Sequence, residues 1–310
     1  MKKTLVFLGI LTCIFFFTRN GSGQAPEESA HTAGVGLSVM PGEMVVQNIV
    51  PGEPFDLGEK ADIGLIVRNQ SDKTRSYKIA VTQPSQLRLK NVKGYSVLPD
   101  PSWLQLEKDT IEVGPFSQGT VKMVIHVPDD PQYFNQKWAV ALSVTSVPKA
   151  NEKINLRVTP VYYIETVANS EILTPPAGRL GVSPGAINLG IITLGEHKDV
   201  AKIKIYNNDT KAHVYSISPF VPTQESGSRK IIVSPNYFWI YEKEWISAQV
   251  PKVKIGPKKS KEIAINLTIP DVPVYVKKLF EGLIFIEALD DETLSDFVRV
   301  KMNTRKKPKE

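Results

Sequence analysis

Gly181-Val182-Ser183-Pro184-Gly185 satisfies the G-x-S-x-G pattern that, in a hydrolase, sets a serine nucleophile on a sharp turn between a strand and a helix. That chemistry needs the residue after the serine to offer its backbone N–H to the oxyanion, and Pro184 has none. The four histidines, His31, His126, His197 and His213, are scattered, and no two have the short spacing of a zinc site. Asp290-Asp291-Glu292 with Asp296 is the densest acidic cluster. It lacks the glycine and alternating ligand spacing of a calcium loop, so it reads as a solvated hairpin turn. No phosphate-cradling glycine loop, no dinucleotide fingerprint and no interleaving of basic with aromatic residues is present. The chain is therefore expected to be no enzyme and to take no metal, no cofactor and no nucleic acid.

What remains is binding chemistry. Lys252, Lys254, Lys258, Lys259 and Lys261 crowd one stretch, and a basic tail spans 305–310. Such a run is either a solvated loop or a contact for an anionic polymer or lipid head group. Trp138 aligns with Phe280, and Trp103 falls in the region that holds Trp239 in the second half, so these read as core aromatics. Trp245 has no counterpart in that alignment and is the aromatic candidate for an exposed binding surface, with simple packing as its alternative.

The elements that must position these residues follow an export segment. Lys2 and Lys3 precede an apolar run from Thr4 to Phe17, and small residues Gly21 and Gly23 precede Gln24, which is the layout of a cleaved signal peptide, 1–23. Lipidation at Cys13, the one cysteine, and retention as an anchor are the alternatives. Cleavage takes away Lys2, Lys3, Arg19 and Cys13, lowering the formal net charge from +6 and leaving a chain without thiols. Its stability must then come from burial alone. No second hydrophobic stretch reaches membrane-spanning length, so no transmembrane span is expected in the mature chain.

Self-similarity organises the rest. Pro41-Gly42 recurs as Pro184-Gly185, Leu57-Gly58-Glu59 as Leu194-Gly195-Glu196, Asn69 as Asn207, and Gly114-Pro115 as Gly256-Pro257. Pro128-Asp129-Asp130-Pro131-Gln132-Tyr133 likewise returns as Pro270-Asp271-Val272-Pro273-Val274-Tyr275, in the same order throughout. Between these markers lie short β-branched runs bounded by Gly, Pro, Asn or Asp. Ile63 to Arg68, Tyr77 to Thr82, Thr120 to Val127 and Ala139 to Thr145 lie in the first half. Ala201 to Tyr206, His213 to Ser218, Ile263 to Ile269, Gly282 to Ala288 and Phe297 to Met302 lie in the second. The expected fold is all-β: two tandem immunoglobulin-like β-sandwich domains at 36–168 and 179–304, a proline-stiffened linker at 169–178, and disordered residues at 24–35.

With these residues in view, the chain resembles three bacterial groups. Val182-Ser183-Pro184-Gly185, Leu189-Gly190 and Leu194-Gly195-Glu196 are similar to the opening strands of Hydin-type Ig-like domains. Val39-Met40-Pro41-Gly42, Val67 to Ser71, Trp103-Leu104, Val113-Gly114-Pro115 and Val127-Pro128-Asp129 resemble the N-terminal domain of WxL-interacting cell-surface proteins. The two-domain exported layout also resembles periplasmic pilus chaperones, which implies an Arg and a Lys in an interdomain cleft holding a subunit's terminal carboxylate. Arg157 and Arg179, flanking the hinge, are the loose candidates for such a pair. Together the resemblances imply a periplasmic or cell-surface binding or assembly protein whose partner is an envelope or surface protein, or an anionic envelope polymer. The alternatives are a pilus-type chaperone and an accessory module of an envelope hydrolase.

Overall fold

The computed structural model describes residues 36–87, 93–148, 155–222 and 231–307. The segment 1–23 expected to be a signal peptide, with Cys13, the 24–35 stretch with His31, and the last residues of the basic tail lie outside them.

The first half opens with β1 (Leu37–Met40), β2 (Glu43–Ile49) and β3 (Phe55–Asp56), which runs into a single helical turn, α1 (Leu57–Ala61). Asp56 caps that turn by accepting from the backbone N–H groups of Gly58 and Glu59. Next come β4 (Leu65–Asn69), β5 (Arg75–Thr82), β6 (Ser96–Val97), β7 (Leu104–Leu106), β8 (Thr110–Val113), β9 (Gln118–Val121) and β10 (Met123–Ile125). This half closes with β11 (Lys137–Ser146), β12 (Arg157–Val158) and β13 (Val161–Thr166). The second half contains β14 (Leu180–Ser183), β15 (Ala186–Thr193), β16 (Lys198–Asn207), β17 (His213–Phe220), β18 (Phe238–Trp239) and β19 (Ile246–Ala248). It ends with β20 (Lys252–Ile255), β21 (Lys259–Leu267), β22 (Leu279–Ala288) and β23 (Ser295–Arg305).

Each half is a β-sandwich. In the first, β1-β4-β9 and β3-β10-β7 make one layer and β2-β13-β11-β5-β8 the other; in the second, β14-β16-β21-β19 faces β15-β23-β22-β17-β20. Period-two alternation drives the packing. In β8 Ile111 and Val113 are buried while Thr110 and Glu112 are exposed, and in β20 Val253 and Ile255 are buried while Lys252 and Lys254 face solvent. The β-branched runs expected from sequence fall on observed strands, except that the run from Ile63 starts before β4, the run from Thr120 is broken at Lys122 and passes the end of β10, and the run from Ile263 passes the end of β21.

Two aromatic triads fill matching places in the two cores. Trp103 meets Tyr133 and Trp138 at centroid distances of 4.8 and 5.5 Å, and Trp245 meets Tyr275 and Phe280 at 4.9 and 6.0 Å. The backbone agrees: His126 donates its N–H to the Trp103 carbonyl and Thr268 donates to that of Trp245, each at 2.8 Å. Trp245, not Trp239, is thus the counterpart of Trp103, which corrects the alignment that left Trp245 isolated. Trp239 instead packs edge-on against Phe220 at 5.8 Å.

Candidate functional site

Strands β11 and β22 are buried along nearly their whole length instead of alternating. The reason is that their outer faces meet across the domain boundary, so both sides of each strand are covered. There a third apolar cluster joins Tyr95 and Tyr163 of the first half to Phe220, Leu283, Phe285 and Phe297 of the second. Tyr95 lies 4.7 Å from the Tyr163 ring and 5.4 Å from that of Phe297.

Buried charge is set into this apolar contact. Arg299, 2% exposed, donates from Nε and Nη2 to the two oxygens of Glu165 at 2.6 Å each, and from Nη1 to Glu281 Oε1 at 2.5 Å. Tyr95 donates its hydroxyl to Glu165 at 2.6 Å, and the Ser234 N–H donates to Glu281 at 2.7 Å. Gln47 completes the set when its amide is oriented to accept from Arg299 and donate to Ser234, at 3.0 Å each. Burial alone pushes the Glu165 carboxyl up, but the Arg299 charge and hydrogen bonds, helped by Tyr95 and Lys137, outweigh it and hold the group below its ordinary value. A second ion pair crosses the boundary where Lys137 reaches Asp296 at 3.0 Å. Here burial prevails and the Asp296 carboxyl is raised, with Lys137 opposing only in part.

Beside this network lies a cavity of about 340 Å³. One wall is Gln47 and Asn48 at the end of β2; the other is Ala186, Ile187 and Asn188 at the start of β15, with Lys137, Arg299 and Lys301 lining it as well. Its hinge is one side chain: Asn135 accepts from the N–H groups of Asn169 and Gly185 at 2.9 Å each and donates to the Asn169 carbonyl at 2.9 Å. Asn135 is left-handed at φ 63°, which asparagine tolerates better than most residues. Of the three cations, Arg299 and Lys137 are spent on carboxylates. Lys301 is half-buried and pairs with no carboxylate among the described residues; its ammonium sits 5.6 Å from the Tyr237 ring. Burial, reinforced by Arg299, lowers its pKa against the opposing pull of Glu281 and Glu165. A cation held in that state gains more than a solvated one from an anionic ligand.

The sequence candidates lie elsewhere. Lys252 and Lys254 project from β20, at the edge of its sheet; Lys258 sits in the following turn; Lys259 and Lys261 belong to β21 in the opposite sheet. All five are exposed, none pairs with a carboxylate among the described residues, and Lys258 donates to the Asn208 carbonyl. Arg157 and Arg179 do not meet in the cleft: Arg157 is on β12, and Arg179 holds Asp209 at 2.5 Å and Asp291 at 2.9 Å. Asp290 and Asp291 are therefore engaged in a paired cluster, not merely solvated. Ser183 is buried, receives a 3.4 Å bond from Asn135, and leads through Pro184 into strand β15, where a nucleophile elbow would lead into a helix. Among the described residues no three His, Cys, Asp or Glu side chains group as a metal site, and no helix is long and apolar enough to cross a membrane. Lys301 and the buried network were missed from sequence. The available signal was Phe297, Arg299 and Lys301 alternating with Val298, Val300 and Met302 on β23, a strand with charge on one face and core on the other.

No protein-family model matches this chain, and no curated protein matches it. Solved structures similar to it include a protein of unknown function from Porphyromonas gingivalis W83, at 16% identity, covering 86% of this chain and 99% of that one, with a TM-score of 0.31. The E. coli chaperone DraB is similar at 10% identity, covering 87% and 97%, with a TM-score of 0.29. A chaperone–tip adhesion subunit pre-assembly complex from the Csu pili of Acinetobacter baumannii is similar at 9% identity, covering 88% and 100%, also at 0.29. At these identities and scores the likeness carries no functional argument, and the fold rests on the strand order and pairing described above.

Proposed function

We propose that this chain is an exported, non-catalytic binding or assembly protein that captures an envelope or surface protein at its interdomain cleft. The observation that supports this is Lys301: a half-buried ammonium without a carboxylate partner among the described residues, lining a cavity between edge strands β2 and β15. An anionic group of the partner completes the ion pair there, and the main-chain edges on either side, unpaired among the described residues, offer strand pairing. A pilus-type chaperone is the narrower form of this reading, in which the captured protein is a subunit lacking a strand. Retention of partners from an envelope fraction tests the proposal. Lys301→Met is expected to reduce capture while Lys254→Met leaves it unchanged, at equal melting temperature; equal capture by both variants contradicts it.

A second reading rests on the five exposed lysines of the 252–261 stretch, which an anionic envelope polymer fits. Retention on purified envelope then falls steeply as salt rises past about 0.1 M. The five-fold Lys→Gln variant should not be retained at all; salt-independent retention, or retention by that variant, overturns this reading.

A further inference from the structure

In the second domain, outside the cavity lining, a charged cluster ties together three segments that are far apart in sequence. His213, at the start of β17, is 3% exposed and has a carboxylate at each ring nitrogen. Asp290 lies 3.0 Å from Nδ1 and Asp209 lies 3.1 Å from Nε2. Asp209 belongs to the β16–β17 turn and Asp290 to the β22–β23 hairpin. Arg179, at the end of the interdomain linker, holds Asp209 and Asp291 and reaches Thr293 at 3.4 Å. On the remaining sides are Tyr215, with its ring 5.9 Å away, and Lys258, whose N–H donates to the Asp209 carbonyl; β20 pairs Ile255 and Lys254 with His213 and Val214.

A neutral imidazole carries one N–H and one lone pair, so it can satisfy one of these carboxylates and must present its lone pair to the other. Only the doubly protonated ring donates to both. The two acids are not equivalent on losing that proton. Asp209 is 12% exposed and keeps Arg179, whereas Asp290 is 55% exposed and can exchange the ring for water. The remaining proton therefore stays toward Asp209, and the contact that breaks is the one to Asp290. The hairpin it loosens leads directly into Ser295 and Asp296, which contact the first domain through the Gly94 N–H at 2.9 Å and through Lys137.

We propose that His213 is a pH-sensitive latch: charged, it adds a tie from Asp290 of the β22–β23 hairpin to Asp209 of the β16–β17 turn, and neutral, it loosens the hairpin, which Arg179 still holds through Asp291. The device acts independently of what the cleft holds. Burial alone would lower the His213 pKa, but the hydrogen bonds and charges of Asp290 and Asp209 outweigh it, so the group titrates above its ordinary 6.5. The latch's contribution is accordingly full below 6.5 and is lost as pH rises through the raised folded value.

The exported full chain allows a direct test by NMR. The His213 ring should titrate with a midpoint above 6.5. The Leu289 amide, which donates to the Val214 carbonyl at 2.9 Å, should lose about tenfold protection from exchange across that midpoint, after correction for base catalysis. Asp290→Asn should move the midpoint down toward the ordinary value, and His213→Gln should abolish the pH dependence of Leu289. A midpoint at or below 6.5, a midpoint unmoved by Asp290→Asn, or the same Leu289 change in His213→Gln overturns the proposal.

Discussion

Trp245 and Asn207 show what residue spacing conveys and where it fails. Asn69 and Asn207 were matched from sequence, and each donates from its amide to three carbonyls in the same pattern. Asn69 donates to Lys73, Val113 and Gly114; Asn207 donates to Lys211, Ile255 and Gly256. Asparagine followed by a turn and answered by Gly-Pro is a local signal, and local signals survive in a sequence. The Trp103 and Trp245 match was legible as well, because the two tryptophans precede Gly114-Pro115 and Gly256-Pro257 by equal spacing; matching by region instead of by that offset set Trp239 against Trp103. With Trp245 packed on Tyr275 and Phe280, Trp245→Ala should lower unfolding free energy by about 3–5 kcal/mol and Trp245→Phe by less. Denaturant unfolding checks this; an unchanged midpoint accompanied by lost partner capture would make Trp245 a binding residue instead.

Strands were legible wherever one face met solvent, because alternation reveals them. It was the opposite case, β11 and β22, that carried the site. Phe280 to Ile286 has the sequence FEGLIFI, whose apolar run reports that both faces are covered, yet nothing local says that the second cover is the other domain. The Glu165–Arg299–Glu281 set was invisible for the same reason, since its members are far apart in the chain. Removing the shared cation strands two buried carboxylates, so Arg299→Met should cost about 3–5 kcal/mol. The pH dependence has a defined sign. Glu165 is held below its ordinary 4.5, so its contribution is present above 4.5 and lost as pH falls through the lowered folded value. Unfolding midpoints measured between neutral and acid pH should therefore fall more steeply in the native chain than in Glu165→Gln; parallel curves would show that Glu165 does not carry the acid response.

At the scale of the molecule, sequence conveyed two β-sandwiches and a proline-bearing linker, and suggested a preferred angle between them. The structure supplies what holds that angle: an apolar contact around Tyr95, Tyr163, Phe285 and Phe297, the buried ion pairs, and a linker fastened at both ends. Ala177 donates to the Gln132 carbonyl, and Asn208 donates to the carbonyls of Pro176 and Gly178. Halves cut at this linker would expose that apolar face and leave Lys137 without Asp296 and Arg299 without Glu165. The same packing leaves an opening between the edges of β2 and β15, with Lys301 beside it. Photo-crosslinking from Asn188, on the wall of that opening, measured in the envelope against crosslinking from Lys254 on the distant β20 edge, tests the cleft most directly. A partner adduct from position 188 that disappears in Lys301→Met, with none from position 254, is the predicted result. An adduct from position 254 alone, or one from 188 that persists in Lys301→Met, would contradict capture at the cleft.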